Sequence, residues 1–265
     1  MFKLFKPTRR IGSFDAQAAI VTALRELPKD HIAPARRAFL RGGLSAGGLA
    51  LLSGCSLVDE SSVEAALMSV SRMNDRVQGW LFDPQRLAPT YNKAEALDPF
   101  PFNAYYPESE VRHVDGGDFR LEVTGQVADK HAWSLEELHT LPTTEQVTRH
   151  ICVEGWSAIG HWGGVPFAHF LKRVGADTSA KYIGFTCDDD YFTSIDMATA
   201  LHPQTLLVLT QNGRTLEPRN GYPLKLRMPT KLGYKNPKHI RAITVTNTYP
   251  GGYWENQGYN WFGGS

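Results

Sequence analysis

"RHICVEGW", Arg149 to Trp156, is the stretch on which the reading of this chain turns. Side chains of an extended strand alternate between two faces. His150, Cys152 and Glu154 are therefore expected on one face, with Arg149, Ile151 and Val153 on the other. A histidine, a thiol and a carboxylate beside an apolar-leaning face suit a soft-metal site or an activated thiol, or they meet by coincidence around a cysteine that is merely a small buried hydrophobe. Zinc needs more ligands at short range, and His150-x-Cys152-x-Glu154 has no second pair. A cysteine nucleophile needs a histidine base from elsewhere in the chain. A thiolate completing the shell of a metal already held by a sulfur-rich organic cofactor needs one cysteine and a cradle for the cofactor's phosphate.

The basic C-terminal third supplies a candidate cradle. From Pro218 to Trp254 there is no Asp or Glu, yet Arg219, Lys225, Arg227, Lys231, Lys235, Lys238 and Arg241 all fall there. Lysines among glycine-containing turns such as "KLGYKNPK" suit a bound phosphate, because backbone N–H groups approach closely and ammonium groups supply charge. A solvated basic face is the bland alternative. Over the whole 265 residues the net charge is +1, which gives no reason to expect nucleic acid or an anionic membrane as partner. The three cysteines, Cys55, Cys152 and Cys187, form no CxxC or CxxCH motif, so an iron–sulfur cluster or a covalently attached haem is not expected.

The N-terminal stretch reads as an address. Arg36 and Arg37 precede Phe39, Leu40 and a weakly apolar run from Gly42 to Leu52, a pattern like a twin-arginine export signal. The run is too short for a comfortable membrane span, which needs about 20 apolar residues. It ends in Leu52-Ser53-Gly54-Cys55, which resembles a lipobox whose cysteine is lipidated. Residues 1–54 are therefore expected to be a leader, with an amphipathic helix around Phe14 to Leu27 of no assigned function. Residues 55–99 read as a helix, its apolar positions Val63, Leu67, Val70, Met73, Val77 and Trp80 at helical spacing, followed by a Pro-punctuated linker. Residues 100–265 read as one globular domain.

Within that domain "FRLEVTGQV", "KYIGFTC", "TLLVLTQNG", "PLKLRMP" and "IRAITVTN" read as strands beside the RHICVEGW strand. "SLEELHTL" carries a capping box, Ser134 with Glu137, and "GGVPFAHFLKRVG" reads as a helix with Pro166 in its first turn and Gly175 at its end. Turns are expected at Asn212-Gly213 and Asn220-Gly221. The class is α+β and β-rich.

"CVEGWSAIGHWGGVPFAHFL", the run from "HPQTLLVLTQNG" to "KNPKHIRAITV" and the earlier "FPFNAYYP" resemble the sulfite-oxidase-type molybdopterin-binding domain. They are most similar to the branch of the periplasmic methionine-sulfoxide reductase catalytic subunit. The resemblance covers roughly Phe100 to Thr248. It implies a fold of several small mixed sheets with short helices, and a molybdenum-molybdopterin cofactor whose metal takes Cys152 as protein ligand. It implies catalytic roles for Glu154 and Asn103 near the metal. Cofactor contacts would come from Asn103, Tyr105, Tyr106, Cys187, Asn220, Lys225, Asn236, Pro237 and Lys238. Tyr106 departs from an acidic residue, Cys187 from a threonine, and Lys225 from an arginine whose bidentate fork it cannot reproduce. Arg149 lies on the opposite strand face if regular pairing holds, which leaves its carry-over as an anion-site residue open, and His150 either touches the pterin or, the favoured reading, makes a local hydrogen bond. Sulfite oxidases proper carry a Cys-Ala-Gly-Asn run where this chain has Cys-Val-Glu-Gly, and they add a C-terminal dimerisation domain.

The function implied is a periplasmic two-electron oxygen-atom transfer, of sulfoxide-reduction type. The alternatives are oxidation of sulfite or a related anion, a cofactor-free lipid-anchored binding protein, and a cysteine hydrolase. Without a haem or cluster motif, electrons would come from another protein, a membrane haem protein or a periplasmic cytochrome. The aromatic tail "YPGGYWENQGYNWF" either covers the mouth of the site or packs as a final loop.

Overall fold

The computed structural model describes residues 60–265. The leader, its twin arginines, the lipobox cysteine and the helix expected over Phe14–Leu27 lie outside the described residues. Residues 64–265 form one compact unit.

Two five-stranded sheets build it. The first has the order β2-β1-β10-β5-β6, with β1 Arg120–Gly125, β2 Trp133–Ser134, β5 Tyr182–Cys187, β6 Phe192–Asp196 and β10 Ile240–Thr246. Its β1 and β10 run parallel, Glu122 facing Ala242, and the other pairs run antiparallel. The second is antiparallel, β3-β4-β7-β8 with β9 also on β7. Its strands are β3 Thr144–Ile151, β4 Ser157–Pro166, β7 Leu206–Gln211, β8 Arg214–Thr215 and β9 Lys225–Arg227. Short helices α2 Leu135–Thr140, α3 Phe167–Arg173 and α4 Met197–Leu201 complete the α+β, β-rich class.

The larger of two apolar clusters holds the sheets and helices together, the smaller gathering Phe100, Trp162, Leu206 and Val208. Leu121, Val123, Phe167, Phe170, Ile183, Phe185, Leu207, Leu226 and Ile243 are all buried in the larger one. The capping box forms as its spacing predicts: Ser134 Oγ accepts from Glu137 N at 3.2 Å, and Glu137 Oε2 accepts from Ser134 N at 2.8 Å. Asn212 and Gly213 make the turn between β7 and β8. Strands β4 and β6 were not expected. The glycines of "SAIGHWGGVP" dilute the alternation of β4, and β6 follows the polar run Asp188–Asp190.

One expectation is corrected. The strand through RHICVEGW ends at Ile151, so Cys152 and Glu154 do not continue the face of His150. Cys152 to Gly155 instead form a tight turn, closed by Gly155 N–H to Cys152 O at 3.2 Å, with Gly155 at φ 91°. The split between Arg149, exposed, and His150, buried, does follow the strand alternation.

The helix α1 spans Glu60–Leu81, as its spacing predicts, but its apolar stripe does not pack on the domain. The packed face is Met68, Ser71, Asp75 and Gln78, each half-buried. Asp75 Oδ1 accepts from Phe262 N at 2.8 Å, and Gln78 Oε1 from Gly264 N at 3.2 Å. Residues 82–99 run along the second sheet: Thr90 bridges to Thr148, and Tyr91 N donates to Val147 O at 3.0 Å.

Candidate active site

The β3–β4 turn opens into a cleft. Cys152 and Glu154 enter from the turn. Asn103 and Tyr105 come from the segment before β1, Lys225 from β9, and Asn236, Pro237 and Lys238 from the loop before β10. A smaller cavity behind shares Asn103, Lys225 and Lys238 with the cleft and adds His150, Arg219 and Asn220. These two spaces bring together most of the residues singled out in the sequence. The second cofactor tyrosine, Tyr106, stands behind Tyr105 and donates to Asp189 Oδ2 at 2.9 Å. Cys187 is buried in the apolar core at the end of β5 and does not line the cleft. Arg149 turns away, its guanidinium 5.2 Å over the Tyr91 ring.

Cys152 is buried, and its Sγ lies 3.5 Å from Glu154 Oε2, which also accepts from Trp156 Nε1 at 2.9 Å. Burial pushes the thiol up, and the nearby Glu154 carboxylate adds to the shift. Among the described residues no histidine bonds to this sulfur, so the arrangement lacks what a cysteine nucleophile requires. A metal cation in the proton's place is the other way to hold a buried thiolate.

The buried cations on and behind the cleft wall, Lys225 and Lys238 on it and Arg227 behind it, point to an anion. Lys225, Arg227 and Lys238 are buried, and among the described residues none has a carboxylate within ion-pair range. Lys238 Nζ donates to Arg219 O at 3.2 Å and sits 4.5 Å over the Phe102 ring. Arg227 Nη1 donates to Asn236 Oδ1 at 3.2 Å, while its Nε has no partner. Burial drives Lys225 well below the ordinary lysine range, with Lys238 and Arg227 adding to the shift, and brings Lys238 down to about 8 against the pull of the Asp189 carboxylate. Buried charge of one sign without a partner is costly, and an anion such as a phosphate bound there would relieve it.

His150 belongs to the same wall. Its Nε2 takes the Asn103 amide at 3.1 Å, the local hydrogen bond expected for it, while Nδ1 is buried and unpartnered. Burial and the three cations hold the ring well below the usual histidine range, hence neutral. Gly233 makes room for this pair, since a Cβ there would stand 2.7 Å from His150 Nε2 and 3.0 Å from Asn103 Nδ2.

Several cleft residues carried no signal of their own in the sequence. Asp189 anchors the tyrosine wall: its carbonyl accepts from Tyr105 OH and its Oδ1 from Tyr191 N at 3.2 Å. Desolvation, with Asp189 next, raises Tyr105 to about 12, so it remains a hydrogen-bond donor. Trp254 and Tyr259 of the aromatic tail line the cleft with Tyr234, and the tail also packs down on the domain. A buried ion pair, Lys235 with Glu255, straps the tail down, and Thr193 Oγ1 donates to the same carboxylate at 2.7 Å. Both side chains of that pair are 1% exposed.

Comparison with known proteins agrees with this geometry. The sequence profile of the oxidoreductase molybdopterin-binding domain matches residues 108–254. A protein of Azospira oryzae named as a putative protein-methionine-sulfoxide reductase subunit, YedZ1, is 65% identical over 92% of this chain and 93% of its own length. The protein-methionine-sulfoxide reductase catalytic subunit MsrP of Burkholderia mallei is 27% identical over 90% of this chain and 78% of its own. Among solved structures, the sulfane dehydrogenase SoxCD of Paracoccus pantotrophus superposes with a TM-score of 0.50 at 19% identity, covering 64% of this chain and 49% of that one, a likeness of fold. With the thiol in the turn, the cationic wall behind it and these relatives, the chain belongs to the oxidoreductase molybdopterin-binding domain family.

Proposed function

We propose that this chain is the catalytic subunit of a periplasmic molybdenum-molybdopterin oxidoreductase that reduces sulfoxides, methionine sulfoxide in proteins being the substrate class its relatives' names indicate. The observation that carries the reading is the meeting, in one cleft, of a buried thiol, Cys152, with the buried lysines Lys225 and Lys238, neither of which, among the described residues, has a carboxylate in ion-pair range. A cofactor-free binding protein has no use for that charge, whereas a phosphate-bearing pterin neutralises it.

When bound, the cofactor supplies a metal that exchanges an oxygen atom and two electrons with substrate. Cys152 would be its protein ligand. Lys225, Asn236, Pro237 and Lys238 would cradle the phosphate, and Asn220 and His150 in the inner cavity would face the pterin. Asn103 orients His150. Cys187 has no direct contact to offer through its side chain, so any part it plays would come through β5's backbone. Turning a sulfoxide into a thioether and water consumes protons, and Glu154 is the side chain at the mouth suited to deliver them. Trp254, Tyr259 and Tyr234 would seat a thioether while limiting water.

Residues 1–54 would be a twin-arginine and lipobox leader, 55–99 a helix and linker, and 100–265 the catalytic domain. Export in the folded state suits an enzyme whose cofactor is inserted first. Electrons would arrive from a separate membrane haem protein or periplasmic cytochrome, near which a lipid on Cys55 would hold the enzyme. Among the described residues no helix is long and apolar enough to cross a membrane. The test is turnover of methionine sulfoxide with a reduced dye, comparing wild type with Cys152→Ser. We expect activity lost and the fold retained in the variant. Full activity in Cys152→Ser, or turnover of sulfite but of no sulfoxide by wild type, would overturn the reading.

A further inference from the structure

Helix α1 is built with its apolar stripe on the wrong side for the domain it sits on. At 100° per residue, Val63, Leu67, Val70, Met73, Val77, Trp80 and Leu81 fall within an arc of roughly 140°. The packed positions Met68, Ser71, Asp75 and Gln78 centre roughly 130° away from it. Leu67 is 65% exposed, Val70 58%, Leu81 66%, and Trp80, at the edge of the stripe, 82%. An apolar stripe that faces outward along a 22-residue helix marks a binding surface rather than a core face.

The sequence indicates what covers it. Cys55 of Leu52-Ser53-Gly54-Cys55 stands five residues before Glu60, the first residue of α1. That spacer reaches at most about 18 Å fully extended. A lipid on Cys55 would therefore hold the start of α1 at the bilayer surface. The helix carries three acids, Glu60, Glu64 and Asp75, against two arginines, so attraction to anionic headgroups is not what would hold it. We propose that the apolar face of α1 lies in the surface of the bilayer to which Cys55 is tethered. The proposal rests on the lipid-anchored reading above. Because α1 is bonded to Phe262 and Gly264 of the tail that also lines the cleft, its seat on the membrane fixes which way the mouth faces.

The test uses full-length protein exported by its own signal and purified from membranes, with the lipid on Cys55 read by mass spectrometry. It is reconstituted on phosphatidylcholine vesicles as wild type and as the Val70→Glu, Val77→Glu double variant. Both positions are exposed and remote from the cleft, and a Val70→Ser, Val77→Ser pair separates lost apolar area from any unfolding. We expect the lipidated Glu variant to leave vesicles at least about tenfold faster, independently of salt. We also expect a brominated lipid to quench a fluorescence component that Trp80→Phe removes. Equal retention with Trp80 unquenched overturns the proposal. So does a wild-type dimer that the Glu pair makes monomeric, which would assign the stripe to a second copy. Retention that needs a protein of the native membrane, with bare vesicles failing, overturns it as well. If Cys55 carries no lipid, the anchor reading fails separately, and a Val70/Val77-dependent difference on vesicles still upholds the helix.

Discussion

Replacing Lys238 by methionine should strengthen the protein that lacks its cofactor and weaken its hold on the cofactor. Burial lowers this lysine to about 8, while in the unfolded chain it titrates near 10.5. At about 1.4 kcal/mol per pH unit, keeping the ammonium charged at pH 7 costs the ligand-free fold about 3 kcal/mol. Its bond to the Arg219 carbonyl and its place over the Phe102 ring return about 1–2 kcal/mol. The expected net gain for Lys238→Met is therefore about 1–2 kcal/mol, since the methylene stem's packing is kept. The sign of the pH dependence follows from the direction of the shift. Between pH about 8 and 10.5 the unfolded chain binds the proton that the folded chain has lost, so wild-type stability rises with pH across that window. The advantage of Lys238→Met is then largest below pH 8 and fades toward pH 10.5. The assay is urea unfolding at pH 7 and pH 10 of protein made in a host without molybdopterin, with pterin retention measured separately in a replete host. A ligand-free variant less stable than wild type at pH 7 by more than about 1 kcal/mol, or one that retains pterin as wild type does, would refute the cradle argument.

Other consequences can be checked alongside. Glu255→Gln leaves the buried Lys235 ammonium without its carboxylate and should cost about 3–5 kcal/mol, whereas replacing both partners with apolar residues should cost far less; urea unfolding of the single and double variants separates the two. Gly233→Ala drives a methyl group into His150 and Asn103, and should lower pterin content together with Tm. Ser134→Ala removes the capping box of α2 and should cost about 1 kcal/mol with no change in cofactor content, read from the urea midpoint.

The class of the fold was legible because its strands are short, apolar and bounded by turn residues, and because the Ser134 box and the Asn212-Gly213 turn are local chemistry. What local chemistry could not give was where each side chain ends up. Cys152 and Glu154 meet, but through a turn that Gly155 closes, not along a strand face. The stripe on α1 fixed the helix, and periodicity alone says nothing of which neighbour the stripe meets. The tyrosine wall depends on Asp189, whose partners Tyr105 and Tyr106 lie more than eighty positions earlier. Tyr106, which stands where an acid was expected, is thus joined to a carboxylate supplied by another segment. Lys235 was legible as one of a run of basic residues, but its burial against Glu255 of the tail is a tertiary fact.

Metal and pterin analysis of protein exported by its own signal in a molybdenum-replete host tests the central claim most directly. We expect molybdenum and pterin in close to equal amounts to the folded chain, with the molybdenum lost from Cys152→Ser. A folded, exported protein carrying neither would contradict it, and would leave the cationic cleft to some other anion.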